Sequence, residues 1–252
     1  MKQIDLNSDV GESFGAYKIG NEEQVFDYIT SANIACGFHA GDPHIMSKTV
    51  KLAKEKGVAI GAHPGFQDLV GFGRRPMSMS PSDVYDLLLY QLGALSAFCQ
   101  IHHVRLTHVK PHGALYNMAA IDRNLAEAIA KAVYDFDSSL LLYGLAGSRL
   151  IEAGKKFELK TVSEVFADRT YQPNGTLTPR SESNALIHDS QTAINQVLQM
   201  VKQQRVETVT GEIIPIEAES ICVHGDNLQA LSFVKELRDA LAAEKITVKA
   251  LG

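Results

Sequence analysis

Short runs of β-branched and apolar residues alternate along this chain with longer stretches of helical periodicity. The runs lie at Gln3 to Asn7, Ser31 to Ala35, Val58 to Ala62, Leu106 to Val109, Leu140 to Tyr143, Lys160 to Ser163 and Ser220 to Val223. The order amounts to about seven βα units, a pattern that places a parallel sheet beneath an outer layer of helices.

The helices carry clear start signals. Asp42 followed by Pro43 is an N-cap with proline in the first turn, Met46, Val50 and Ala53 share one face, and Gly57 ends the element, so a helix is predicted over 43–56. Ser80, Pro81 and Asp83 open a second helix whose stripe is Val84, Leu88, Leu92, Leu95 and Cys99. Ile194, Val197, Leu198 and Val201 repeat the pattern, as do Val234, Leu237 and Leu241 in the last helix. These stripes are read as core.

Two connections, Pro64 to Met79 and Val165 to Glu182, are long, and both combine arginines with glycines. Loops of that length in a compact fold are usually functional, so both are read as lids over the barrel mouth. VETVTGEIIPI reads as an external hairpin turning at Thr210 and Gly211.

Composition narrows the class. The chain has 252 residues, 45% hydrophobic and 21% charged, which suits one α/β-barrel domain over 1–252. The N-terminus lacks the apolar run of a signal peptide, and no stretch reads as the roughly 20 apolar residues of a span, so a cytoplasmic protein without membrane contact is expected. A net charge of −5 offers no field for nucleic acid. The three cysteines form no CxxC pair and are read as reduced.

In a βα barrel the chemistry collects where strands run into the following loops. Strand one leaves through Asn7 and Asp9, strand two through Cys36, His39 and His44, strand three through His63, and strand four through Lys110 and His112. Strand six leaves through Glu164, Asp168 and Arg169, and strand seven through His224 and Asp226. Of the nine histidines, five (His39, His44, His63, His112 and His224) fall at these exits, so one polar pocket is expected. His102, His103, His108 and His188 are read as structural.

Each group also has an ordinary explanation. Asp9 and Glu12 serve equally as turn or cap residues, His44 as a local helix-start residue, and Cys36 as a small buried side chain instead of a nucleophile with His39 as its base. Arg74 and Arg75 are either solvated lid charges or a bidentate clamp for carboxylate or phosphate. Asp9 and His63 with His39 or His44 make a candidate divalent-metal set with an open position, although no HExxH spacing supports it. GSRLIEAGKK misses the phosphate-loop spacing, so ATP, if used, is expected to bind with partner chains.

Taken together, DLNSDVGES, NIACGFHAGDP, GAHPGFQD with GFGRR, VKPHGALYN, SEVFADRTY and CVHGD resemble the LamB/YcsF family, in order along nearly the whole chain. The resemblance implies a (βα)7 barrel related in fold to polysaccharide deacetylases. It also implies an ATP-driven 5-oxoprolinase activity, opening 5-oxo-L-proline to glutamate together with B and C subunits.

For such a reaction Asp9 or His39 would serve as base for water, His63 and His112 as acid and orienting groups, and Lys110 and Arg169 as cationic stabilisers. Asp168 would position a partner, His224 completes the catalytic set, and Asn7, Arg74, Arg75, Arg169 and Asp226 are candidate substrate contacts. The deacetylases' paired aspartates and His-x-x-x-His pattern are not reproduced. A metal-dependent hydrolase of N-acyl or carbohydrate substrates is therefore the second reading, and a non-catalytic scaffold or regulatory subunit the third. Cutting single exit groups is expected to cost little stability.

Overall fold

The computed structural model describes residues 2–19, 22–223 and 228–251. His224 and Asp226 lie outside the described residues. In chain order the elements are β1 (Gln3–Val10), α1 (Glu22–Val25), β2 (Ser31–Ala35), α2 (Pro43–Lys56), β3 (Ala59–His63) and α3 (Pro81–Ile101). There follow β4 (Leu106–Val109), α4 (Gly113–Ala119), α5 (Arg123–Asp137), β5 (Leu141–Leu145), α6 (Arg149–Lys156), β6 (Thr161–Phe166) and α7 (Ser190–Gln203). The chain ends with β7 (Arg205–Glu207), β8 (Ile213–Pro215), β9 (Ser220–Cys222), α8 (Leu228–Ala243) and β10 (Thr247–Val248).

All barrel pairings are parallel. The order β1-β2-β3-β4-β5-β6-β9 closes through a further β1–β9 pairing, and β10 adds outside the ring along β1. Asn7 stands opposite Cys222 at the seam, so the two ends of the chain complete one barrel. This is the closed seven-stranded parallel barrel that the βα alternation predicts, with helices outside. The hairpin also forms, as antiparallel β7 and β8 with Gly211 in the left-handed region between them.

α2 spans the predicted residues. The Asp42 carboxylate accepts from the His44 and Ile45 backbone N–H groups, and Gly57 closes the helix at φ 66°. α3 begins with the Ser80–Asp83 capping box. Contrary to the expectation of no span-length stretch, α3 is long and apolar enough, by length and composition alone, to cross a membrane. Its apolarity has a packing cause: Val84, Leu88, Leu92 and Leu95 are wholly buried in the core.

The first strand turns its polar side inward. Ile4, Leu6 and Val10 belong to the apolar core, whereas Asp5, Asn7 and Asp9, two residues apart, meet polar groups of other strands across the interior. At the lower level the Asp5 carboxylate accepts from the hydroxyls of Thr30, Ser31, Ser220 and Tyr143, yet burial still raises its pKa above the usual range. Above it, Asn7 donates to Ser220 at 2.7 Å and accepts from Asn33, whose own oxygen accepts from His108 Nε2 at 2.8 Å. A ladder of satisfied polar groups thus rises along the barrel axis to the site.

His108 explains one glycine. A Cβ built on Gly61 would stand 2.0 Å from His108 Nε2, so the imidazole lies directly over bare backbone. Gly61→Ala is expected to destabilise the protein by about 3 kcal/mol, as overpacking does. At about 2–4 °C per kcal/mol that is a Tm fall of roughly 6–12 °C, measurable by calorimetry.

Candidate active site

The carboxyl ends of the strands open into a cavity of about 830 Å³. Its walls include Asp9 near the end of β1 and Glu12 just after it, His63 at the end of β3, Lys110 and His112 after β4, and Tyr116 on α4. Both long connections reach it. Phe72 and Arg74 come from the first, Arg169 and the stretch around Thr178 and Arg180 from the second, so both act as mouth-covering walls.

At the floor Lys110 is fully buried, and its ammonium donates to Asp9 Oδ1 at 3.0 Å, Glu164 Oε1 at 2.7 Å and Asn7 Oδ1 at 3.1 Å. Burial alone would lower the lysine pKa, but Asp9, Cys222 and Glu164 outweigh it and hold the group well above its ordinary value. The Tyr116 hydroxyl donates to Glu164 at 2.6 Å, and burial first, then that carboxylate, raises the phenol pKa strongly.

Asp9 meets two donors and an imidazole nitrogen. Lys110 and Asn33 Nδ2, the latter at 2.8 Å, hold one oxygen, and His63 Nε2 stands 3.2 Å from the other. Burial pushes this carboxyl up, but His63 and Lys110 prevail and keep it well below the usual carboxylate range. It is therefore ionised near neutrality.

A histidine group leans on Asp9. His63 Nδ1 donates to the Lys110 carbonyl at 2.7 Å, His112 Nε2 donates to the Phe72 carbonyl at 2.8 Å, and the two inner nitrogens are 2.9 Å apart. His39 stacks on His112 with ring centroids 3.7 Å apart. Burial is the first cause that holds both His39 and His112 well below the ordinary imidazole pKa.

Several sequence-derived assignments are corrected. Asn7 lies beneath the cavity and supports Lys110 and Asn33; it does not line the wall. His39 is behind the wall and does not line the cavity, so it is not placed to activate cavity water; among the described residues neither of its ring nitrogens is hydrogen-bonded. Arg75 turns away from the wall to pair with Asp68, Nε to Oδ1 at 2.9 Å. Asp168 is also off the wall, and its carbonyl accepts from the Ile187 N–H. His44 is exposed on α2. Arg169 does reach the cavity, but its guanidinium pins its own loop through the carbonyls of Thr178 and Ala185. Burial first, then Arg180, pushes its pKa down to about 10.

Other readings hold. Cys36 is buried, bonded to the Ile34 carbonyl, and pushed up to about 12 by burial, as suits a small packing residue. His108 is structural, and burial pushes it down to about 3. Glu12 and Glu164, which the strand exits offer without a specific role, complete the site together with Asn33 and Tyr116, which the sequence pattern does not mark. The inward DLNSD alternation on β1 was the available signal for a polar interior. Tyr116 carried none, because its short helix has no apolar stripe long enough to read.

The fold and site together define a closed parallel βα barrel with a buried lysine–carboxylate–histidine floor at the carboxyl ends of its strands. The chain belongs to the LamB/YcsF family, whose sequence model matches residues 4–252. It is 62% identical over 248 residues to the A subunit of 5-oxoprolinase from Halalkalibacterium halodurans, covering 98% of this chain and 96% of that one. Its identity to the corresponding A subunit of Bacillus subtilis 5-oxoprolinase is 56% over 251 residues, covering 100% and 98%. Among solved structures, the lactam utilization protein from Thermus thermophilus superposes with a TM-score of 0.92 at 45% identity, covering 99% of this chain and all of that one. A putative cellobiose-phosphate cleavage protein from Enterococcus faecalis shares the fold at 13% identity and a TM-score of 0.61, covering 98% and 96%.

Proposed function

We propose that this chain is the ring-opening component of an ATP-dependent 5-oxoprolinase, its A subunit, acting on 5-oxo-L-proline with B and C subunits. What carries the reading is near-full-length identity of 56–62% to proteins named as the A subunit of 5-oxoprolinase. The charged floor under an arginine-bearing mouth supplies chemistry that suits it.

A lactam is a resonance-stabilised amide, and water attacks it slowly. Phosphorylation of its carbonyl oxygen by ATP makes the ring carbon electrophilic, a step assigned here to the partner chains because this sequence has no phosphate-cradling loop. Water then adds to that carbon and the carbon–nitrogen bond breaks. The product is an acyl phosphate with a free amine, which a second water converts to glutamate and phosphate.

Asp9, ionised and on the cavity wall, accepts the proton of the attacking water and returns it to the leaving nitrogen. The neighbours that hold it ionised also make it a weak base, which is sufficient for a phosphate-activated carbon. Lys110 fixes the Asp9 carboxylate in place, His63 and His112 orient the reacting side, and Arg74 receives the phosphate or carboxylate.

The arginine pair tests the assignment in the reconstituted three-subunit enzyme. Arg74→Ala is expected to lower kcat/KM by about 10- to 100-fold, the loss of a charge-assisted hydrogen bond. Arg75→Ala should stay within about twofold, since its guanidinium faces Asp68 and does not line the cavity. Equal effects from the two variants would remove Arg74 from substrate recognition.

A further inference from the structure

The geometry points to a divalent metal site of the zinc class formed by Glu12, His39, His63 and His112. This assignment stands whichever substrate the barrel takes. One ligand atom from each of the four lies within 4.8 Å of all the others. His63 Nε2 and His112 Nδ1 are 2.9 Å apart, and Glu12 Oε1 lies 3.7 Å from His39 Nε2 and 3.8 Å from His112 Nδ1. Donors held about 2.0–2.2 Å from a tetrahedral ion stand roughly 3.3–3.5 Å from one another, so these separations bracket the required one.

The proton positions favour an ion. The outer nitrogens of His63 and His112 both face main-chain carbonyls and must donate. In their neutral forms both inner nitrogens then present lone pairs, and two lone pairs 2.9 Å apart repel unless a positive centre joins them. Metal-bound histidines are held in this way, with the distal N–H on a carbonyl.

His39 is a second observation. It is 1% exposed and among the described residues neither ring nitrogen has a hydrogen-bond partner, so a buried polar ring is left unsatisfied within the cluster. Its parallel stacking on His112 would put an ion out of one ring plane, so ion binding turns His39 about its Cβ–Cγ bond. The first loop is shaped around these rings. A Cβ on Gly65 would stand 2.6 Å from His39 Nδ1, and one on Gly73 2.8 Å from His112 Cδ2.

Three imidazoles and one carboxylate suit zinc and its borderline neighbours, whereas magnesium and calcium require oxygen-rich shells. Asp9 Oδ1 is held by Lys110 and Asn33 while its Oδ2 stands 3.2 Å from His63 Nε2, so it borders the four-residue ligand set without being counted in it.

The test is metal binding by the full chain, stripped with a chelator and titrated with Zn²⁺ against a chromophoric competitor. One ion per chain is expected, tighter than about 1 μM. Glu12→Gln, His39→Gln and His112→Gln should each weaken binding by at least about 100-fold. His44→Gln, on the exposed face of α2, should bind as wild type does, with circular dichroism confirming the fold throughout. If a variant does not fold, Co²⁺ in the wild-type chain decides: intense visible absorption marks a four- or five-coordinate protein site. No stoichiometric uptake overturns the assignment, as does uptake that survives in Glu12→Gln and His39→Gln, or only the pale spectrum of six-coordinate cobalt.

Discussion

Asp9→Asn is expected to reduce turnover of the reconstituted enzyme by on the order of 10²-fold or more, the scale for removing a general base or an electrostatic partner. Asp9 is the carboxylate on the cavity wall that joins both halves of the floor: Lys110 and Asn33 on one oxygen, His63 on the other. Asparagine keeps the size and one acceptor, but it cannot take a proton from water. Lys110 retains Glu164 at 2.7 Å, so the substitution leaves no buried ammonium unpaired and the chain should stay folded. Steady-state glutamate release, with circular dichroism of the same protein, checks both parts. A variant with wild-type kcat would remove Asp9 from the chemistry.

Lys110→Met carries the largest expected cost in stability. The ammonium is 2% exposed and lies between Asp9 and Glu164, so an apolar replacement leaves two carboxylates facing each other at the barrel axis. Breaking a buried pair from one side costs about 3–5 kcal/mol. For a chain of this size that corresponds to a Tm lower by roughly 6–20 °C. The expectation from sequence, that exit groups can be cut at little cost, fails here because this lysine belongs to the core as much as to the site. A Tm within about 2 °C of wild type would contradict the central place given to the ion pair.

The fold was legible wherever a signal is local. The cap at Asp42 and Pro43 and the capping box at Ser80 lie within one helical turn of what they control, so α2 and the start of α3 fall where the residues place them. The site was legible in its histidines and in Asp9 and Lys110, because strand exits concentrate chemistry in such barrels. Its partners were not. Glu164 is separated from Lys110 by one strand and three helices, and only barrel closure sets them 2.7 Å apart.

Arg74 and Arg75 are adjacent in sequence, yet one enters the cavity and the other meets Asp68. Nor does sequence distinguish a histidine on the wall from one behind it, as with His63 and His39. A scaffold would have no reason to gather buried lysine, carboxylate and imidazole at an open cavity, since desolvating them costs free energy that packing alone would not require.

Ring opening by this chain is tested most directly by omission. B and C subunits, ATP and 5-oxo-L-proline are combined without the chain, with it, and with its Asp9→Asn form, and glutamate is measured. Glutamate should appear at a catalytic rate only with the wild-type chain. Equal glutamate release by B and C alone, or undiminished release with Asp9→Asn, would contradict the account.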